Sequence, residues 1–144
     1  MNKNFYLIVF LLPLLGCTVQ LNAQDKTLSG TWALDVDKSI GRMSLQSKSK
    51  FDSLTVDRKA RAKSSMDGRV FNFHADGKFT VSWKAGEQLR ESAGTWVIGP
   101  EADALTITID RKPQIFDYSF ADGFLLLKER QSTGMFTTLC FKRQ

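Results

Sequence analysis

The chain has 144 residues, with 20 Lys or Arg and 15 Asp or Glu, which gives a net charge of +5 at neutral pH. This length accommodates a single domain. Two cysteines are too few for a disulfide framework, so a hydrophobic core must hold the fold. Only one aromatic residue, Phe51, lies among the basic side chains that cluster within residues 48–69, which argues against nucleic acid as a partner.

The first residues are typical of a secretory signal peptide. Lys3 precedes an apolar run, "FYLIVFLLPLLG", that is too short to cross a bilayer as a helix, for which about 20 residues are needed. Two cleavage sites compete. "LLGC" resembles the lipobox of bacterial lipoproteins, which predicts a signal peptide over residues 1–16 and acylation of Cys17. "LNAQ" places Ala23 before an ordinary signal-peptidase site, which would extend the signal over residues 1–23.

Both cleavage sites predict an exported protein. With the first, the protein is a lipid-anchored component of the cell envelope, held on a membrane through Cys17. With the second, it is periplasmic or secreted. Residues 17–29 would form a tether, and residues 30–144 would form the folded domain.

From Gly30 onwards, apolar and polar residues alternate with the period of two that is typical of half-buried strands. Short turn signals separate the alternating runs, among them two copies of "ADG" at residues 75–77 and 121–123. The pattern predicts an all-β fold in which eight antiparallel strands form an up-and-down meander. Eight strands are enough to close a small barrel. In chain order, the predicted strands are "TWALDV", "RVFNFHA", "KFTVSWK", "QLRESAGTWVI", "ALTITID", "QIFDYSF", "FLLLKER" and "MFTTLCFKR".

Residues 44–67 lack this alternation and are rich in Lys, Arg, Ala and Ser. We expect one helix between strands 1 and 2, over residues 51–66, with Asp52 or Ser53 as its N-cap. It should cover one open end of the barrel. Its sparse apolar stripe comprises Phe51, Leu54, Ala62 and Met66.

The same segment carries the main cluster of positive charge. A solvated helix face is the ordinary meaning of such a cluster, and attraction to an anionic membrane surface or polyanion is the more specific one. The clustered basic residues are Lys48, Lys50, Arg58, Lys59, Arg61, Lys63 and Arg69.

The tripeptide "GTW" occurs twice, at residues 30–32 and 94–96. Glycine lets the backbone bend or approach a neighbour closely, and Thr is a strong strand former. Trp then supplies a large ring for burial. We therefore expect Trp32 and Trp96 to occupy inward positions of their strands.

These motifs, in this order, resemble a known family. "LSGTWALD" early in an eight-stranded meander resembles the Gly-x-Trp opening of the lipocalins. "FHADGKFTV", "GTWVI", "LTITID" and "FLLLKE" resemble segments of the small lipocalin-like domains of exported bacterial proteins, so that the resemblance covers residues 28–143. It implies that Trp32 plugs the closed end of the barrel, with Lys142 or Arg143 packed across it.

The sequence contains few residues in patterns typical of catalysis or metal binding. His74 is the sole histidine and lies beside a predicted turn, as a structural histidine would. There is no Ser-His-Asp set, no metal-ligand spacing and no glycine-rich phosphate loop in the sequence. Cys140 is expected to be a small, buried or half-buried thiol. We therefore expect a protein that is not an enzyme and has no metal or cofactor.

Two functional hypotheses follow. In the leading one, the protein binds a small hydrophobic ligand inside the barrel or acts as an accessory envelope lipoprotein. In the second, it is a non-enzymatic interaction module that docks through its basic helix, residues 51–66, on an anionic partner or membrane surface. An open cavity would favour the first, and a filled interior the second. The candidate pocket residues are Trp32, Phe73, Phe79, Trp83 and Tyr118.

Overall fold

The computed structural model describes residues 28–101, 103–132 and 134–144, and within them eight strands close into an antiparallel barrel. Each strand pairs with its neighbours in the chain, and the last strand pairs with the first. This confirms the predicted all-β, up-and-down barrel. In chain order the strands are β1 (Gly30–Leu34), β2 (Val70–Phe73), β3 (Lys78–Ala85), β4 (Gln88–Ile98), β5 (Ala104–Ile109), β6 (Lys112–Ala121), β7 (Phe124–Glu129) and β8 (Thr138–Arg143).

The single helix predicted over residues 51–66 is wrong in number and bounds. The described chain between β1 and β2 forms three short helices, α1 (Val36–Gly41), α2 (Leu45–Asp52) and α3 (Val56–Ser64). Asp52 is the last residue of α2 and Ser53 is its C-cap, so neither begins a helix.

Local capping explains this division. The side chains of Asp35, Ser44 and Thr55 each accept a hydrogen bond from the backbone N–H three residues further on. Such an N-cap satisfies one of the free donors of a first helical turn and fixes where the helix begins. Val36, predicted as part of strand 1, is consequently the first residue of α1.

Aromatic side chains fill the middle of the barrel. The ring centroid of Phe71 lies 4.5 Å from that of Phe141 and 5.1 Å from that of Phe79. Phe73 is 5.0 Å from Phe79 by the same measure. These distances are typical of packed aromatic pairs. They place contacting rings across the interior from β2 and β3 to β8.

The two tryptophans of the repeated tripeptide are buried, as predicted, with 3% of Trp32 and 2% of Trp96 exposed. Each indole N–H donates to a backbone carbonyl, that of Leu28 at 2.9 Å and that of His74 at 2.8 Å, respectively. The guanidinium carbon of Arg143 lies 5.3 Å from the Trp32 ring centroid. Arg143, rather than Lys142, therefore provides the basic group that packs across Trp32.

The tether predicted over residues 17–29 overlaps the folded domain. Leu28 is fully buried in the core, and the backbone carbonyl of Ser29 accepts a hydrogen bond from Arg143 at 2.9 Å. The rest of that tether, both predicted signal peptides and Cys17 lie outside the described residues.

The two ends of the barrel carry different features. At the lower end, Gly30 of β1 pairs with Phe73 beside the β2–β3 turn. At the opposite, upper end lies the β3–β4 turn, and α3 stands beside it. Met66, just after α3, belongs to the buried core, which fixes this part of the helical segment on the barrel. Helix α1 instead packs against β8, where the Cys140 backbone N–H donates to the Ser39 hydroxyl oxygen at 2.9 Å.

Candidate functional site

The five predicted pocket residues come together in the barrel, where they form part of the core. Trp32, Phe73, Phe79 and Tyr118 belong to one buried cluster, and Trp83 packs against its edge while remaining partly exposed. Phe73 and Phe79 contact the core ring of Phe71, whereas Trp32 and Tyr118 also contact the exposed ring of Phe120. These residues therefore pack the interior, and two of them also line surface pockets. Tyr118 lines one that contains both Asp117 and Lys128, and Trp83 lines one whose charged residues are all basic.

That pocket is an open groove of about 630 Å³ between α3 and the end of β3, at the upper end of the barrel. Three cationic side chains line it, those of Arg61, Arg69 and Lys84, together with the indole of Trp83. None of the described residues that line it is acidic. We call this pocket the basic groove.

Local structure brings the cations together from three elements. Arg61 lies in the last turn of α3, and Lys84 lies near the end of β3. Gly68, with φ of +66°, turns the chain from α3 towards β2 and places Arg69 there. A Cβ at position 68 would lie 3.4 Å from the Cγ and Cδ atoms of Lys84, so the Lys84 stem packs over this glycine.

Arg69 is the least solvated cation of the groove. Its partial burial lowers the pKa of its guanidinium through desolvation. Its Nη2 donates to the backbone carbonyl of Ser65 at a long 3.5 Å. A guanidinium has five N–H donors and stays charged at neutral pH. Arg69 thus offers donors that the described protein atoms leave available to a ligand.

Elsewhere on the surface, several basic residues are neutralised by partners. Lys63 pairs with Asp37 at 3.0 Å, and Arg130 pairs with both Glu101 and Asp117, which raise its pKa. Among the described residues, none of the three cations of the basic groove has an ion pair. The positive charge of the groove is therefore not neutralised by a direct ion pair within the described chain.

The end of β3 extends beyond its neighbour. Pairing with β2 ends at Val70 and Ser82, whereas pairing with β4 continues to Ala85 and Gln88. The segment from Trp83 onwards therefore presents the edge of a strand beside the groove. In the neighbouring strand β4, Leu89 pairs with Lys84 and is 69% exposed.

Sequence reasoning found part of this site. Arg61 and Arg69 belong to the predicted basic cluster, but Lys84 lies in a strand whose alternation gave no sign of a partner. Arg58 and Lys59 belong to α3 and do not line the groove. Lys84 reaches the site because the end of β3 packs against the turn after α3. This contact belongs to the tertiary structure, so the sequence alone does not predict it.

Two further residues considered in the sequence analysis, His74 and Cys140, do not line the groove. His74 is exposed, and its backbone carbonyl accepts the Trp96 hydrogen bond. Cys140 is 1% exposed, and burial raises the pKa of its thiol.

Within the described ranges, no three His, Cys, Asp or Glu side chains are grouped so that they could hold a metal ion. In that same part of the chain, no helix has the length and apolar character required to cross a membrane.

The fold and the groove define this chain as a closed eight-stranded β-barrel with a helical insertion that carries a basic surface site. Among solved structures, it is similar to the crystal structure of a DUF4847 family protein from Bacteroides vulgatus ATCC 8482, with a TM-score of 0.52 and 21% sequence identity. The match covers 81% of this chain and 93% of that one. At this identity, the likeness supports the fold alone. No family model matches the chain, and a search of curated proteins also found no match.

Proposed function

We propose that this protein is a non-enzymatic binding module that docks on an anionic partner through the basic groove. One observation carries the proposal: Arg61, Arg69 and Lys84 line one groove without an acidic neighbour in its described lining. Near a protein surface, one unit charge at about 4 Å contributes on the order of 1–4 kcal/mol of Coulomb attraction. Several such charges around one concave surface favour an anion over neutral competitors.

This proposal modifies the second hypothesis from the sequence. The basic surface is no longer one face of a continuous helix over residues 51–66, because the site combines α3 with the end of β3. Carriage of a small hydrophobic ligand inside the barrel has less support, since the rings of Phe73 and Phe79 are each 1% exposed and contact one another there.

We also propose, on the sequence alone, that the protein acts in the cell envelope as an accessory lipoprotein. Its lipobox-like "LLGC" supports acylation of Cys17. A lipid anchor and a surface site for anions are compatible, because the first holds the protein and the second selects its partner.

Two anionic probes test the docking proposal, phosphatidylglycerol vesicles and soluble polyphosphate. The protein should carry Cys17→Ser, so that an acyl chain does not contribute to vesicle binding. We expect saturable binding to at least one probe, weaker at high salt because exposed charges are screened, and little binding to phosphatidylcholine vesicles.

A matched pair of triple variants locates the surface. Arg61→Gln, Arg69→Gln and Lys84→Gln together should weaken binding at least tenfold. The control triple removes the same charge from exposed lysines outside the groove: Lys78→Gln, Lys128→Gln and Lys142→Gln. It should change binding less than twofold. Equal losses in both triples, or no binding to either probe, would contradict the proposal.

A further inference from the structure

The three tryptophans of the chain differ in one respect that bears on the groove. The indole N–H groups of Trp32 and Trp96 donate to backbone carbonyls in the core. Trp83 is half-buried, lines the groove, and its N–H has no acceptor among the described residues. The ring packs against the core at its inner side, so the exposed part forms a fixed apolar wall of the groove.

The groove therefore joins an apolar wall to a set of cationic donors. Guanidinium groups bind the oxygens of a phosphate or carboxylate in pairs, and Lys adds a point charge. Arg69 is best placed to gain from such a ligand, because it is partly buried and makes only a long hydrogen bond to Ser65 in the described structure. An inorganic anion would use these donors and leave the Trp83 wall uncovered.

The size of the groove points in the same direction. Its volume of about 630 Å³ lies within the range of roughly 300–1,000 Å³ that small-molecule sites occupy. A ligand that fills it must carry an apolar body beside its charged group. The apolar ring of Trp83 and the three cations together therefore favour a molecule that is both apolar and anionic.

We infer that the basic groove binds a small amphiphilic phosphate monoester, dispersed in water, with its phosphate held by Arg61, Arg69 and Lys84 and its apolar body against Trp83. This inference rests on the proposed function and specifies the ligand of the same site. The phosphate group could also be presented by a lipid in a membrane, and the experiment separates the two sources.

Isothermal titration calorimetry of the Cys17→Ser protein with octyl phosphate, below its micelle concentration, tests the inference. We expect one site that binds octyl phosphate at least tenfold more tightly than inorganic phosphate and at least tenfold more tightly than neutral octyl glucoside. Equal affinity for inorganic phosphate, or for octyl glucoside, would overturn it. Binding to vesicles that contain phosphatidic acid, without binding to monomeric octyl phosphate, would also overturn it.

Two single variants test the two parts of the groove. Arg69→Gln should weaken octyl phosphate binding at least tenfold, and Trp83→Leu should weaken it while leaving the weak affinity for inorganic phosphate unchanged. Lys112→Gln, an exposed charge at the start of β6, should change binding less than twofold. Circular dichroism verifies that each variant is folded, and unchanged affinity in folded Arg69→Gln overturns the inference.

The outcome also separates this inference from the proposal on which it rests. If octyl phosphate does not bind but polyphosphate or phosphatidylglycerol vesicles still require the three groove cations, the ligand class is wrong and the docking function stands. If octyl phosphate does not bind, and binding of polyphosphate and of phosphatidylglycerol vesicles does not require the groove cations either, both the ligand class and the docking function are wrong.

Discussion

At the scale of single residues, the two copies of "GTW" provide the same solution to one problem. A buried indole contributes a large apolar surface, but its N–H must find an acceptor. Trp32 and Trp96 find theirs in backbone carbonyls at 2.9 Å and 2.8 Å. The sequence predicted the burial because the residues alternate, but it could not identify the acceptors, which come from Leu28 and His74.

Replacing either buried tryptophan should destabilise the domain strongly. Trp32→Ala and Trp96→Ala should each lower the free energy of unfolding by about 3–5 kcal/mol, through lost burial and a cavity. Denaturant titration measures the loss, and Leu89→Ala, at an exposed site, should stay within about 0.5 kcal/mol of the parent. A loss below about 1 kcal/mol at either tryptophan would mean that its ring does not support the core.

The glycine of the second "GTW" is required for a different reason. A Cβ at Gly94 would lie 2.0 Å from the backbone oxygen of Thr108, so that any side chain there would force β4 and β5 apart. We expect Gly94→Ala to cost about 1–3 kcal/mol of stability, as overpacking does.

Gly41, in α1, is the matched control, because a Cβ there meets nothing within 4 Å. Gly41→Ala should be neutral or stabilise by about 0.4–1 kcal/mol, since it restricts the unfolded chain. Thermal unfolding of the two variants side by side measures both effects. A similar midpoint for both would refute the close approach of the strands at Gly94.

At the scale of elements, strands were easier to predict than helices. Alternation over four or more residues identifies a strand directly, and short turns then impose antiparallel pairing. The helical segment has few apolar residues, so its periodicity is weak, and local caps at Ser44 and Thr55 decide its divisions instead. These residue types are ordinary N-caps, but Ser and Thr are frequent throughout residues 44–67, and the sequence does not single out the ones that act.

Met66 should hold the helical segment on the barrel. It is 9% exposed and belongs to the core cluster, whereas Val56, at the start of α3, is 83% exposed. Met66→Ala should cost about 2–5 kcal/mol of stability, and Val56→Ala should cost less than about 0.5 kcal/mol. Denaturant titration compares the two. Equal small effects would show that α3 does not depend on this contact.

At the scale of the whole molecule, the barrel was predictable and the site was not. The barrel follows from strand number and turn length, which are local properties of the sequence. The basic groove depends on how Arg61, Arg69 and Lys84 meet in space, and Lys84 joins them only through the register of β3. Sequence reasoning therefore identified the charge of the site and missed its shape.

The proposed anchor makes a prediction for the whole protein. Cys17→Ser should release the protein from the membrane fraction of its cell without changing its thermal stability, because the described core consists of Leu28 and residues that follow it. Fractionation followed by immunoblotting measures the release, and intact mass shows the acyl chains of the parent. A mature parent protein that begins at Gln24 without a lipid would contradict the lipoprotein proposal.

The distance between the lower end of the barrel and the groove at its upper end has an electrostatic consequence. At the lower end Gly30 pairs with Phe73, and Phe73 pairs with Phe79, whereas the groove reaches Gly86 at the upper end. At about 3.3 Å per residue, the β3 segment between them spans roughly 20 Å. At physiological ionic strength, charges are screened over about 8 Å. A charged surface in contact with the lower end alone would therefore exert only a weak field on the groove, which would sample anions from the surrounding water.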